Sequence, residues 1–226
     1  MPSNVLFVYT SADRTPSGTP TGWWLAEAAH PYYFLQGKAG VDFASPKGAN
    51  PPVDAGSIKA STDDEGVKFL QDPEVKEKLA NVKKLADVDP TDYDAVLYIG
   101  GHGPMFDLAT DPVSTQLANT ISSRSEKITA AICHGPGALV TVTDVSGKSL
   151  SADRNVTGLS NVEEDLIGAT KLVPFLLEDR IKELGGKYSK AAEPFGSKVV
   201  VDGNVITGQN PGSARDIGEA IWKALN

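Results

Sequence analysis

The chain of 226 residues carries a single cysteine, and that scarcity excludes a great deal. One thiol rules out an intrachain disulfide framework and every Cys-x-x-Cys redox or metal motif, so a reducing compartment is the expected home. Histidine is nearly as scarce: there are three, His30, His102 and His134, with no His-x-x-x-His pair to bind a metal. Long apolar runs are missing too. The opening stretch NVLFVYT (4–10) is too short for a signal peptide or membrane span, and no basic stretch precedes it. Positive charge is outnumbered, with 21 Lys and Arg against 29 Asp and Glu. The resulting field disfavours nucleic acid and anionic membranes as partners. Arg124, Lys127 and the Lys83–Lys84 pair read as solvated surface charge. Neither a dinucleotide-type glycine pattern nor a P-loop occurs, so no cofactor is expected. These absences predict a cytoplasmic protein, with the nucleus as a second compartment.

What is present suffices for a sizeable core, since 40% of the residues are hydrophobic and no segment is strongly biased. Short β-branched runs alternate with helical patterns. NVLFVYT (4–10), VDFAS (41–45), YDAVLYIGG (93–101), KITAAIC (127–133) and NVTGLS (155–160) read as strands. Helix formers run from Leu25 to Ala29, with Pro31 expected to kink or divide that helix. Asp72-Pro73 and Asp111-Pro112 are sound helix starts, predicting helices over 72–88 and 111–126. Further helices are expected over GPGALVTV, over 171–184 and at the C-terminus. Residues 197–208 read as a hairpin turning at Asp202-Gly203. Residues 46–72, rich in Pro, Gly, Ser and Asp, read as a loop-rich insertion. The pattern predicts one domain over 1–226: a doubly wound α/β fold whose mainly parallel sheet is sandwiched by helices.

Two strand ends pass straight from apolar residues into glycine, YIGGHG and AAICHGPG. In an open α/β sheet, sites lie beyond such carboxyl ends. A strand, then Cys133, then a helix start matches the logic of a nucleophile elbow with cysteine in place of serine. The helix start and local N–H groups would favour a thiolate. The amides of His134 and Gly101 are placed to receive an oxyanion. The plain alternative is that Cys133 is a small buried residue with no chemistry. Glu27 is either a carboxylate on a solvated helix face or one turned inward and desolvated, fit for proton transfer. His30 suits a structural polar group at a helix break, and His102 a hydrogen-bonded loop residue. Glu163 and Glu164 read as an exposed acidic helix start, or one of them orients His134. Cys133 and His134 are adjacent and their side chains diverge, so no metal is expected.

YIGGHGPMFDL, AAICHGPGAL and TGWWLAEAAHPY together resemble the ThiJ/PfpI superfamily, relatives of class I glutamine amidotransferases, over essentially the whole chain. They are most similar to its cofactor-independent glyoxalase III branch, which overlaps the stress-response chaperones of fungi. The resemblance implies a flavodoxin-like sandwich, a homodimer, and conversion of methylglyoxal (or glyoxal) with water to the hydroxy acid, D-lactate from methylglyoxal, without glutathione or metal. It implies Cys133 as nucleophile, His134 as base, Glu27 as the carboxyl beside the thiol, and Glu164, with Glu163 as near alternative, as the triad acid. Gly101 and His134 would supply the oxyanion hole, and Trp23, His102, Met105 and Phe106 would line the pocket. A glutaminase of the superfamily uses a downstream His-x-Glu with its cysteine, and no histidine follows His134. A holdase, a cysteine redox sensor and a protein deglycase remain as other readings of the same residues.

Overall fold

The computed structural model describes residues 3–226. Five parallel strands occupy most of the sheet: β1 (Asn4–Val8), β2 (Gly40–Ser45), β3 (Lys83–Lys84), β4 (Ala95–Tyr98) and β5 (Ile128–Ile132). A short strand β6 (Asn155–Val156) lies apart, paired in parallel with β7 (Lys187–Tyr188). The hairpin β8 (Val199–Asp202) and β9 (Val205–Gly208) completes the main sheet in the order β3-β2-β1-β4-β5-β9-β8, with only β8 antiparallel. Asp202 pairs with Val205, so the turn residues are Gly203 and Asn204, one position later than expected, and Gly203 takes φ 59.

Both sheet faces are covered, which is why β1, β4 and β5 read as continuous apolar runs. Val5, Phe7 and Tyr9 face one layer with helices α1 (Leu25–Leu35), α3 (Asp64–Phe69) and α8 (Ala214–Ala224); Leu6, Val8, Val96 and Tyr98 face the other with α5 (Pro112–Ser122). The architecture is a flavodoxin-like three-layer sandwich. No helix among the described residues is long and apolar enough to cross a membrane.

Local chemistry explains most departures from the sequence pattern. Residues 46–72 hold two short helices, α2 (Ala55–Ala60) and α3, where a loop with little regular structure was expected. Each has an aspartate N-cap: Asp54 accepts from the N–H of Gly56 and Ser57, and Asp63 from that of Gly66. His30 Nε2 donates to Asp63 Oδ1 at 3.0 Å, tying α1 to α3. Pro31 does not divide α1. The helix is clamped there by α8, where a Cβ on Gly218 would stand 3.0 Å from Pro31 Cα.

Helix α4 (Pro73–Ala80) starts at Asp72-Pro73 but stops at Asn81, because Lys83 and Lys84 pair with Ala44 and Ser45 at the sheet edge. Pro174 biases its predecessor away from helix, so the expected helix over 171–184 is confined to α7 (Leu177–Glu183). GPGALVTV forms only a 3-10 turn, Gly135–Leu139.

Lys127 is a correction of another kind. It is buried, and its ammonium donates to the carbonyls of Pro90, Thr91 and Tyr93, closing the loop before β4. Lys127→Met leaves those carbonyls without their donor and is expected to cost about 2 kcal/mol of unfolding free energy. Lys84→Ala, at an exposed position, should stay within roughly 0.5 kcal/mol of the parent. Urea midpoints compare the two directly, and equal midpoints would refute the structural role of Lys127.

Candidate active site

Beyond β4 and β5 the chain turns sharply at two neighbouring points. Gly100 is obligatory by packing: a Cβ there would stand 2.4 Å from Glu27 Oε2, 2.5 Å from the Ile132 carbonyl and 2.8 Å from Cys133 Cβ. Gly101 is fixed by φ 88 and by the Gly22 carbonyl, which a Cβ would meet at 2.4 Å. These glycines let α1 bring Glu27 into the cleft between the two strand ends.

Cys133 itself has φ 59, a left-handed conformation that costs a residue with a side chain roughly 1–2 kcal/mol. The sheet holds it there: its N–H donates to Gly208 O and its carbonyl accepts from Leu159 N–H, each at 2.9 Å. The expected elbow is therefore a real, strained turn. Its thiol faces the Gly101 N–H and Glu27.

His134 follows, buried, with Nδ1 3.5 Å from Cys133 Sγ and Nε2 2.6 Å from Glu164 Oε2. His102 Nε2 reaches the other oxygen of the same carboxyl, Oε1, at 2.8 Å, and the two imidazoles lie 4.2 Å apart. Burial alone would raise Glu164, but the two imidazole N–H groups outweigh it and hold the carboxyl down at about 2. An ionised carboxylate can only accept, so both histidines carry their proton on Nε2. That leaves His134 Nδ1 unprotonated and facing sulfur. Burial, then the neighbouring His102, keeps His134 below the usual histidine range and neutral.

Glu27 lies wholly inside, and neither carboxyl oxygen has a well-aligned partner among the described residues. Burial pushes it far above the ordinary carboxyl range. Burial also pushes the Cys133 thiol up, and a charged Glu27 would add to that. The 3-10 turn is too short to supply the helix-start support expected for a thiolate, and the dominant neighbour of the thiol is an acid. Two like charges cannot both form in so small a dry space, so Cys133 and Glu27 together carry at most one negative charge.

Glu163 and Glu164 make different contacts. On α6 (Asn161–Leu166), Glu163 forms a capping box with Ser160, and only Glu164 reaches His134. Three expected pocket residues lie elsewhere. Trp23 is core, its Nε1 donating to Pro51 O and its ring packed edge-on against Tyr9 and Phe69. Met105 is buried against Gly137 and Leu177, and Phe106 lines a separate hollow beside Ser11 and Asp107. The pocket over Cys133, about 140 Å³, is lined instead by Trp24, Leu159, Ile167, Phe195 and Pro211, with Gly101, His102 and His134 at its floor. Trp24 is the N-cap of α1, where extended backbone sends it to the opposite side from Trp23. Phe195 and Ile167 come from loops that carry no motif.

His102, His134 and Glu164 also bring three ligand-type atoms within 4.8 Å of one another, a set able to bind a divalent cation. Here the N···O separations of 2.6 and 2.8 Å are those of hydrogen bonds. Tetrahedral zinc would need them opened to roughly 3.3 Å. The cluster as folded is closed around protons.

A profile of the DJ-1/PfpI family matches residues 25–224. Among curated relatives, Glyoxalase 3 of Candida albicans is 28% identical over 98% of both chains. The glutathione-independent glyoxalase HSP31 of Saccharomyces cerevisiae is 30% identical over 94% of both. Among solved structures, the 24 kDa Rapid Encystment Protein of Francisella tularensis superposes with TM-score 0.93 at 40% identity, covering 99% of each chain. The crystal structure of glyoxalase III from C. albicans gives TM-score 0.88 at 27% identity, covering 99% of this chain and 98% of that one.

The buried acid has a thermodynamic signature. An unfolded glutamate loses its proton above about pH 4.3, whereas folded Glu27 retains it. Its favourable contribution is full below that pH and is lost as pH rises toward the folded value. Glu27→Gln is neutral throughout. Its Tm should match the parent near pH 4 and exceed it by several degrees at pH 8. A gap that stays constant or shrinks with pH, followed by calorimetry, would show that Glu27 is not held protonated.

Proposed function

The chain belongs to the DJ-1/PfpI family, and on that footing we propose that it is a glutathione-independent glyoxalase converting methylglyoxal and water to D-lactate. The observation that carries the proposal is the burial of Cys133 beside the Glu27 carboxyl, with its sulfur 3.5 Å from Nδ1 of His134. Glyoxal is the smaller substrate of the same class. A homodimer in the reducing cytoplasm is the proposed setting.

The steps balance on these groups. With the pair's single charge on sulfur, the thiolate adds to the aldehyde carbon, and Glu27 gives its proton to the new alkoxide. That leaves Glu27 ionised beside the C1–H bond, with the high proton affinity that burial confers. It takes the C1 proton, giving an enediol, and returns it to C2. Meanwhile His134 moves the hydroxyl proton from the C1 oxygen to the C2 oxygen. The product is a lactoyl thioester. Water activated by His134 Nδ1 hydrolyses it, releasing D-lactate and restoring the thiolate and protonated Glu27. The N–H groups of Gly101 and His134 receive the oxyanion in the first and last steps. Glu164 touches no reacting atom; it positions His134 and fixes its tautomer.

The test is freshly reduced protein with methylglyoxal and no glutathione, with D-lactate measured by a stereospecific assay. The parent should form D-lactate. Cys133→Ala should form none, and Glu27→Gln should lose roughly 10²–10⁴ in kcat. No D-lactate from the reduced parent would overturn the proposal. Suppression of client aggregation surviving in Cys133→Ala would then favour the holdase reading.

A further inference from the structure

The mouth of the pocket differs in character from its floor. Around Cys133 stand Trp24, Leu159, Ile167, Phe195 and Pro211, and no Asp, Glu, Lys or Arg lines the cavity among the described residues. A methyl group would touch only a fraction of these walls. The volume, about 140 Å³, is close to the roughly 150 Å³ of an apolar cavity that takes up benzene.

Phe195 is the unusual wall. It is 44% exposed yet has φ 60, a conformation that glycine would adopt without strain. A bulky residue kept in such a conformation needs a framework that over-determines it, and Glu163 supplies one. Glu163 Oε1 accepts from the Phe195 N–H at 2.8 Å and from Asn210 Nδ2 at 2.7 Å; Asn210 Nδ2 also donates to Gly196 O at 2.8 Å. Glu163 Oε2 accepts from Gln209 Nε2 at 2.8 Å and Ser160 Oγ at 2.6 Å. One buried carboxyl thus joins three walls: the Phe195 corner, the segment leading into Pro211, and the helix that precedes Ile167.

We infer that the site prefers 2-oxoaldehydes bearing an aromatic-sized apolar substituent, and that Glu163 is the positioning residue holding Phe195 as the wall that receives it. The inference rests on the glyoxalase reading and deepens it. Chemistry at the aldehyde is unchanged: phenylglyoxal plus water gives mandelate by the same thiol addition, proton transfer and thioester hydrolysis. Aldehydes bearing a carboxylate or phosphate find no cation in the cup.

The experiment compares glyoxal, methylglyoxal and phenylglyoxal with the parent, Ile167→Ser, Phe195→Gly and Glu163→Gln, following glycolate, lactate and mandelate. In the parent, KM should fall roughly tenfold from methylglyoxal to phenylglyoxal. Ile167 is exposed and Phe195→Gly relieves strain, so both variants should fold. In each, the ratio of kcat/KM for phenylglyoxal to that for glyoxal should drop several-fold, through KM. Glu163→Gln should move the same ratio in the same direction, which a purely structural role would not do. Product from all three substrates with KM flat or rising with substituent size overturns this inference alone. So does a ratio unmoved in both Ile167→Ser and Phe195→Gly. No hydroxy acid from any substrate overturns the glyoxalase reading itself.

Discussion

One carboxylate shared by two imidazoles organises everything around the thiol. Glu164 accepts from His134 on the β5 side and from His102 on the β4 side, so a single acceptor ties two strand ends to α6. Because its two oxygens take both Nε2 protons, it also decides which nitrogen of His134 faces sulfur. A carboxylate serving one histidine would orient it; serving two, it also holds the His102 imidazole beside that of His134. The result is a neutral base whose direction is set by hydrogen bonds rather than by packing alone.

The second organising element is electrostatic frugality. Buried charge is expensive, and the Cys133–Glu27 pair admits at most one unit of it where two ionisable groups meet. A shared proton would let each group act as both acid and base within one cycle, which suits the proposed reaction, a movement of hydrogen between adjacent carbons without net redox change. Gly100 and Gly101 are the geometric condition for this arrangement, since any side chain at Gly100 would occupy the place of the Glu27 carboxyl.

Much of this is legible in the chain itself. The two places where an apolar strand runs into glycine, at Gly100 and after Cys133, mark the site because few other functions need such breaks. The Asp-Pro pairs mark α4 and α5 through capping chemistry that acts within four residues. What stays hidden depends on contacts distant in sequence. Glu163 and Glu164 are neighbours at one helix start, and only the positions of Asn210 and His134 separate their roles. Trp23 and Trp24 are equally aromatic, and the backbone at the α1 N-cap decides which is core. Lys127 looks like any surface lysine until the loop at Pro90–Tyr93 folds over it. Phe195 belongs to no pattern at all.

The strained elbow has a consequence for how such a molecule can vary. At position 133 a residue with a side chain is held where glycine would rest easily, and at position 27 an acid is buried where an amide would sit at lower cost. Thermal robustness and chemistry therefore pull in opposite directions at both positions. A lineage released from the need for the reaction would gain stability by discarding the thiol and the acid first, while sheet, helices and Lys127 stayed in place. Robust, inactive descendants with an intact sandwich are the natural fate of this architecture, so overall shape alone is a poor witness to activity among its relatives.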